Sequence, residues 1–207
     1  MTYSIVALDS ESGLVGVAVA SGSIAVGSRV PWAKNAVGAV ATQAYTNPAL
    51  GPLILSYMEE GFTSEEALIK ALGTDDSPNM RQVAVISVKG DKAVHNGNNV
   101  PKECGYYMGE HCVCIANLVK SSDIPKLMCH KFEELMREGN LARALLEALK
   151  EGHGAGGDKR GDCSAALLVV GPTPYGELYD RLIDLRVDYS PDPVGSLEKL
   201  LRLIMKA

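Results

Sequence analysis

Short apolar runs and blocks of helical periodicity alternate along the chain. The runs TYSIVALD (residues 2–9) and LVGVAVAS (residues 14–21) are joined by a polar loop with glycine, which predicts a β-hairpin. Their apolar residues are nearly continuous rather than alternating, which predicts strands that are covered on both faces. A third strand is predicted in NAVGAVATQAY, residues 35–45.

Helical spacing of apolar residues begins after the third strand. Helices are predicted at residues 47–61 and 63–73, the second opened by a capping box of Thr63 and Glu66. The same criteria then predict strands at 81–97 and 111–118, helices at 124–136 and 140–152, strands at 163–171 and 181–189, and an amphipathic helix at 192–206. Apolar and charged residues alternate in the strand at 181–189. This alternation predicts that one face of the strand is exposed to solvent and that the strand lies near a sheet edge.

This order of elements predicts one α+β domain over residues 1–207. Hairpin turns rather than helices join several neighbouring strands, which favours two mostly antiparallel sheets over a doubly wound parallel sheet. Because the helices come in pairs and the strands are covered on both faces, we expect stacked helix–sheet–sheet–helix layers.

Composition narrows the classes of partner. The chain has 46% apolar and 22% charged residues and a formal charge of −5 without a basic stripe, so we expect no nucleic-acid partner. No apolar run reaches bilayer length and no signal peptide is visible, so no membrane partner and a cytoplasmic location are expected. Apolar sandwich faces and exposed edge strands often associate, and we expect a homo-oligomer.

Five cysteines argue against a secreted disulfide framework. Cys104, Cys112, Cys114 and Cys129, with nearby histidines, raise the alternative of a zinc site. Because Cys112 and Cys114 alternate in the strand-like run HCVCIANL and no CxxC pair is present, reduced cysteines acting as small apolar residues are the favoured interpretation. We therefore expect no metal and no cofactor.

Four segments, TYSIVA, ATQAYTNPALG, GGDKRGDCSAALLVV and DRLIDLRVD, resemble a widespread prokaryotic family of unassigned function, domain of unknown function 1028. The resemblance runs from Thr2 to the final helix. It implies the N-terminal-nucleophile (Ntn) hydrolase-like fold, a four-layer αββα sandwich. A fold alone does not establish an activity.

Ntn chemistry makes Thr2 the candidate nucleophile, because one residue supplies both the side-chain hydroxyl and the base. A terminal α-amine titrates near about 7.7–8.0 and can accept the hydroxyl proton, provided that Met1 has been removed. Thr is small enough for an aminopeptidase to expose it. The alternative is that Thr2 is only a good strand former.

The resemblance to proteasome-like members of the fold implies an active-site lysine at Lys34, with Arg29 as a second choice. A lysine at a strand entrance is otherwise usually solvated. The same members carry an Asp near the end of the second strand, where this chain reads Ala-Ser-Gly-Ser at residues 20–23. This chain therefore has no carboxylate residue at that position of its sequence.

Amides and hydroxyls at predicted strand ends are candidate substrate ligands. Thr42, Gln43 and Asn47 stand where a strand enters a helix, and Asn117 ends another strand, so their polar groups are placed to hold a carbonyl or carboxylate. The alternative for Asn47, followed by proline, is a helix cap, and the alternative for Asn117 is a turn.

The glycine-rich stretch GAGGDKRGDCS adds Asp158 and Arg160 as candidate ligands of an anionic or amide substrate. A turn with an Asp158–Arg160 ion pair is the alternative.

The candidate residues are compatible with two functions. The chain is either an amide hydrolase that acts on a small amide or peptide through Thr2, or a non-catalytic small-ligand-binding protein of the same fold.

Overall fold

The computed structural model describes residues 2–137 and 139–206. That part of the chain forms two antiparallel sheets and five α-helices. The strands are β1 (Thr2–Leu8), β2 (Val15–Ser21), β3 (Pro31–Lys34), β4 (Gly38–Ala44), β5 (Arg81–Ser87), β6 (Lys92–Asn96), β7 (Gly105–Met108), β8 (Cys112–Asn117), β9 (Ser164–Val170) and β10 (Arg181–Val187). The helices are α1 (Leu50–Glu59), α2 (Ser64–Leu72), α3 (Ile124–Met136), α4 (Leu141–Gly154) and α5 (Pro193–Ile204).

The larger sheet has six strands in the order β10-β9-β2-β1-β8-β7, and β1 lies in its interior. Thr2, the first residue of β1, pairs with Ser21 on one side and Asn117 on the other. Residues that pair directly across antiparallel strands project from the same face. The sheet therefore collects three polar side chains at one end of its inner strands.

The smaller sheet has four strands in the order β3-β4-β5-β6. Gln43 near the end of β4 pairs with Gln82 near the start of β5. Both side chains are fully buried. Because buried amides require hydrogen-bond partners, this pair marks a polar site inside an otherwise apolar structure.

Three apolar clusters hold the elements together. One joins alternate residues of β1, β2 and β9 to alternate residues of β4 and β5, so the two sheets pack on each other. A second joins the other set of β1, β2, β8 and β9 residues to α3, α4 and α5. A third joins β4 and β5 to α1 and α2.

The predicted β1–β2 hairpin is confirmed, as is the Thr63–Glu66 capping box. The wet-faced strand β10 lies at a sheet edge, as predicted. The four-residue strands β3 and β7 were not predicted, because they are short and partly exposed and lack a run of apolar residues. No helix in residues 2–137 and 139–206 combines the length and apolar composition that a bilayer crossing requires.

Candidate functional site

A cavity of about 430 Å³ opens where β1 begins, beside the loops that leave β2 and β4. Thr2 is only 5% exposed, yet it lines this cavity rather than packed hydrocarbon. The cavity is lined by Thr2, Ser21, Ser23, Val26, Arg29, Val30, Ala44, Tyr45, Thr46 and Arg81. Hydroxyls and two cationic side chains therefore surround the first strand residue.

Ser21 fixes the hydroxyl of Thr2. The two side-chain oxygens lie 3.1 Å apart across the hairpin. The backbone N–H of Ser23 donates to the Ser21 oxygen at 3.1 Å, which holds that hydroxyl in place. The pair is buried at the cavity wall, where hydrogen bonds are stronger than in water.

A buried amide network lies behind Thr2. The Gln43 amide nitrogen donates to the Thr2 carbonyl at 3.2 Å and to the Gln82 amide oxygen at 2.7 Å. Ser4 donates to the Gln43 amide oxygen at 2.5 Å, and Asn117 donates to the Gln82 oxygen at 3.0 Å. The network ties the first residues of β1 to both sheets.

One atom of this network lacks a partner among the described residues. The amide oxygen of Asn117 is buried and accepts no hydrogen bond. Asn117 pairs with Thr2 in the sheet, so this oxygen belongs to the same end of the structure. A buried acceptor without a donor is costly in free energy.

Two arginines replace Lys34 as the cations of the cavity. Arg29 donates to the Ile24 carbonyl at 3.1 Å. Arg81 forms an ion pair with Asp75 at 3.0 Å. Burial raises the pKa of Asp75, but hydrogen bonds from Arg81 and Asn47 outweigh it, and the pKa lies below its usual value.

Lys34 does not lie at this site, contrary to the position that the resemblance implied. It pairs with Gly38 at the opposite end of β4 from Gln43, and a seven-residue strand spans roughly 20 Å. Its ammonium group contacts both carboxylate oxygens of Glu59 at 2.6 Å in an exposed ion pair. The register of the β3–β4 hairpin decides this position.

Thr42 and Asn47 are close to the cavity but outside its wall. Thr42 donates to the Asn47 carbonyl at 3.3 Å and is fully buried. The Asn47 amide donates to Asp75 at 2.6 Å and its oxygen accepts from the Ala49 N–H at 3.1 Å. Helix α1 begins at Leu50 with Ala49 at the cap position, so the Asn47 side chain forms a turn instead of the predicted cap.

Asp158 and Arg160 form the ion pair that the sequence left as an alternative. The fully buried Asp158 carboxylate accepts from the Arg160 guanidinium at 2.9 Å and from the Gly22 N–H at 2.8 Å. Gly22 follows Ser21 at the end of β2. A distant loop thus places a carboxylate where the sequence of residues 20–23 has none.

Tyr3 and His153 hold that loop through Asp162. The Tyr3 hydroxyl donates to Asp162 at 2.6 Å, and a ring nitrogen of His153 lies 2.6 Å from the same oxygen. Burial, together with the negative charge of Asp162, raises the pKa of Tyr3 above its usual range. The other Asp162 oxygen accepts from the Asp158 N–H at 3.1 Å.

Sequence reasoning found Thr2, Gln43 and Asn117 but missed the residues that the chain supplies from a distance. Ser21, Ser23, Arg81 and Gln82 carry no motif, and only the strand register brings them to Thr2. The one sign of these residues in the sequence is that Gln82 and Ser21 are polar residues at the ends of apolar strands.

The model of a family described as "Family of unknown function (DUF1028)" matches residues 2–197. A crystal structure of protein SPO2555 from Silicibacter pomeroyi, described with the same family model, is 30% identical and has a TM-score of 0.87, over 97% of this chain and 84% of that chain. Anbu (ancestral beta-subunit) from Yersinia bercovieri is 9% identical with a TM-score of 0.38, over 100% of this chain and 98% of that chain, a similarity too low to support an assignment. No curated protein matches the chain in sequence.

Proposed function

The chain belongs to the family of unknown function DUF1028, and we propose that it is an Ntn-type amide hydrolase for a small amide or peptide. The proposal includes a single domain with the four-layer αββα sandwich. The three apolar clusters support this arrangement, because they link helices to sheet, sheet to sheet, and sheet to helices.

One observation carries the proposal: the Thr2 hydroxyl stands at the start of a rigid interior strand, on the wall of a cavity. Ntn chemistry requires a nucleophile at that place, with an α-amine on the same residue. Strands on both sides of β1 hold the residue in position.

In the proposed reaction, Met1 is removed and the neutral amine of Thr2 accepts the hydroxyl proton. The hydroxyl oxygen then attacks the carbonyl carbon of the substrate amide. The leaving amine takes the proton from the ammonium group, and an ester on Thr2 remains. Water, deprotonated by the same amine, cleaves the ester and restores the hydroxyl.

The cavity favours a small substrate with a negative charge. Arg29 and Arg81 line it, whereas no carboxylate does among the described residues. Because Arg81 is already paired with Asp75, Arg29 is the cation that would bind the substrate. Guanidinium groups bind carboxylates through paired hydrogen bonds. We therefore propose an amide or short peptide with a carboxylate near the scissile bond.

Non-catalytic binding of a small anionic or amide ligand is the second candidate. The observation that favours it is the position of Lys34, because the cavity lacks the lysine that the resemblance implied. The two arginines then serve binding alone.

In either case we propose that the protein is a homo-oligomer, because β10 presents a sheet edge to solvent. Sedimentation would detect the oligomer.

Two chains that differ only in Met1 test the hydrolase. A removable N-terminal fusion yields one chain that begins at Thr2 and one that retains Met1. Both are incubated with fluorogenic amides and peptides, with and without a carboxylate. We expect hydrolysis by the first chain and at least about 100-fold slower hydrolysis by the second, whose base is acylated.

Variants of Thr2 separate the two candidates. In the chain with a free N-terminus, Thr2→Ala is expected to abolish hydrolysis with little change in melting temperature, and Thr2→Ser to retain it. Equal hydrolysis by both chains, or an intact mass showing that the protein from its natural host retains Met1, would exclude Thr2 catalysis. If Thr2→Ala and the unchanged chain bind the same amides equally well and neither hydrolyses them, the protein is a binding protein.

A further inference from the structure

A cluster of three cysteines lies far from the Thr2 cavity, between the larger sheet and α3. Cys112 and Cys114 project from the same face of β8, because they stand two residues apart on a strand. Cys129 on α3 faces them. All three side chains are at most 1% exposed, and their sulfur atoms lie within 4.8 Å of one another.

The contact between Cys112 and Cys129 is unusually close. Their sulfur atoms are 3.0 Å apart, less than the roughly 3.5–4.0 Å of ordinary packing contacts. Three buried cysteines acting only as apolar residues would not need to converge in this way. The favoured interpretation of the sequence treated the cysteines as small apolar residues, whereas the convergence of these three supports the alternative of a zinc site.

Further ligand groups surround the thiols. A Glu133 carboxylate oxygen lies 3.7 Å from the Cys112 sulfur and is held by the His111 N–H at 2.8 Å. Glu110, His111 and Glu133 also bring their own ligand atoms within 4.8 Å of one another. The donors therefore continue outward from the buried thiols.

A cavity of about 540 Å³ connects this cluster to the surface. Cys129, His111, His130 and Glu133 are among the residues that line it. The cavity offers a path by which an ion could reach the Cys129 sulfur, whereas Cys112 and Cys114 lie behind it and do not line the cavity. It also lies close to the end of β1 opposite Thr2, since Cys112 pairs with Ala7.

We propose that Cys112, Cys114 and Cys129 bind a zinc ion, with the Glu133 carboxylate beside Cys112 as the oxygen donor. Thiolates select soft ions such as Cu(I) and Zn²⁺, and the adjacent carboxylate favours Zn²⁺, which accepts oxygen as its fourth ligand. Zinc–sulfur bonds of about 2.3 Å place tetrahedral sulfur atoms roughly 3.8 Å apart. The sulfur atoms of Cys112 and Cys129, 3.0 Å apart, therefore move apart by roughly 0.8 Å when the ion binds, which the Cys129 side chain on α3 permits by a small rotation. The ion links β8 to α3.

Binding releases the protons of coordinated thiols and involves no change of oxidation state. The site is independent of the proposed hydrolase, because it uses other elements and another cavity. Failure of Thr2 catalysis would leave the zinc proposal intact, and the reverse also holds.

The test uses the full chain, purified under reducing conditions after treatment with a chelator. Zn²⁺ is titrated in competition with a chromophoric chelator, and Co²⁺ is added to a second sample. We expect one ion per chain, a rise in melting temperature with Zn²⁺, and the sulfur-to-cobalt charge-transfer absorption that marks thiolate ligands.

Cys104 and Cys163 provide the matched control, because they lie outside the cluster. The double variant Cys104→Ser/Cys163→Ser retains only the three proposed ligands and is expected to keep both the stoichiometry and the cobalt band. Cys129→Ser and Cys112→Ser are expected to lose the band and to weaken zinc binding at least 100-fold. Glu133→Gln is expected to weaken it about tenfold while the band remains.

The double variant keeps the test decisive even where a buried Cys→Ser change prevents folding. Absence of zinc binding by the reduced double variant would overturn the proposal. So would binding without the thiolate band, which would assign the ion to surface carboxylates. A Cys112–Cys129 disulfide in protein that binds no zinc when reduced would assign the cluster to redox chemistry instead.

Discussion

The side-chain oxygen of Thr2 lies 3.1 Å from that of Ser21, its partner across the β1–β2 hairpin. The two residues are 19 positions apart in sequence, and the strand register alone brings them together. Ser21 therefore positions the proposed nucleophile. Its own oxygen is held by the backbone of Ser23.

Ser21→Ala is expected to slow amide hydrolysis by the Thr2 chain about fivefold, since one neutral hydrogen bond contributes about 1 kcal/mol. The measurement is kcat and KM on the same fluorogenic amide. Ser23→Ala, which removes a cavity hydroxyl that accepts a hydrogen bond from Arg160, is the control and should change kcat less. Equal loss in both variants would argue against a positioning role for Ser21.

The buried amide network is expected to be important for stability. Gln82 accepts hydrogen bonds from Gln43 and Asn117 and donates to Asn96 at 2.5 Å and to the Ala116 carbonyl at 3.0 Å. Gln82→Met removes one hydrogen bond from each of these buried groups, although Gln43 keeps its bond to the Thr2 carbonyl. We expect a loss of about 3 kcal/mol in the free energy of unfolding, measured by urea denaturation.

Asn98→Met is the control for that variant, because Asn98 is exposed. It should change the free energy of unfolding by no more than a few tenths of a kcal/mol. If Gln82→Met were equally mild, the amide network would not contribute as its geometry indicates.

Alanine variants of Lys34 and Arg29 test which of the two cations binds the substrate in the cavity. Arg29→Ala removes a cavity side chain and is expected to raise KM for carboxylate-bearing amides about tenfold, with little effect on uncharged ones. Lys34→Ala breaks only an exposed ion pair with Glu59 and should change neither KM nor kcat. A large loss of kcat in Lys34→Ala would restore the lysine role that the resemblance implied.

Much of the fold could be predicted because its apolar patterns are local. The hairpin, the Thr63 capping box and the edge position of β10 each follow from a few adjacent residues. The site depends on contacts between residues far apart in sequence. Asp158 reaches Gly22 across 136 positions, and neither partner's surroundings in sequence indicate that contact.

The misplacement of Lys34 has the same cause. A single β3–β4 register decides which end of the sheet a residue reaches, and β3 is too short to show a pattern. The sequence offered Cys112, Cys114 and Cys129 as part of an alternative zinc site but could not show that they meet, because Cys129 comes from a helix whereas Cys112 and Cys114 come from a strand.

The lowered pKa of Asp75 predicts how the free energy of unfolding depends on pH. Its side chain is 1% exposed and holds Arg81 at the cavity, and its pKa lies below the unfolded value of about 3.9. Below that unfolded value the unfolded chain binds more protons than the folded one. The contribution of Asp75 is therefore complete above about pH 4 and is lost as the pH falls through the lower folded pKa.

Asp75→Asn isolates this contribution from those of Asp91 and Glu198, whose pKa values are also lowered. We expect wild type to exceed the variant by about 2 kcal/mol in free energy of unfolding near pH 7, because hydrogen bonds to charged groups are at stake. The difference should shrink as the pH falls below about 4. Urea denaturation of both proteins from pH 7 to pH 3 measures it, and a difference that stays constant over that range would show that the pKa of Asp75 is not lowered in the folded protein.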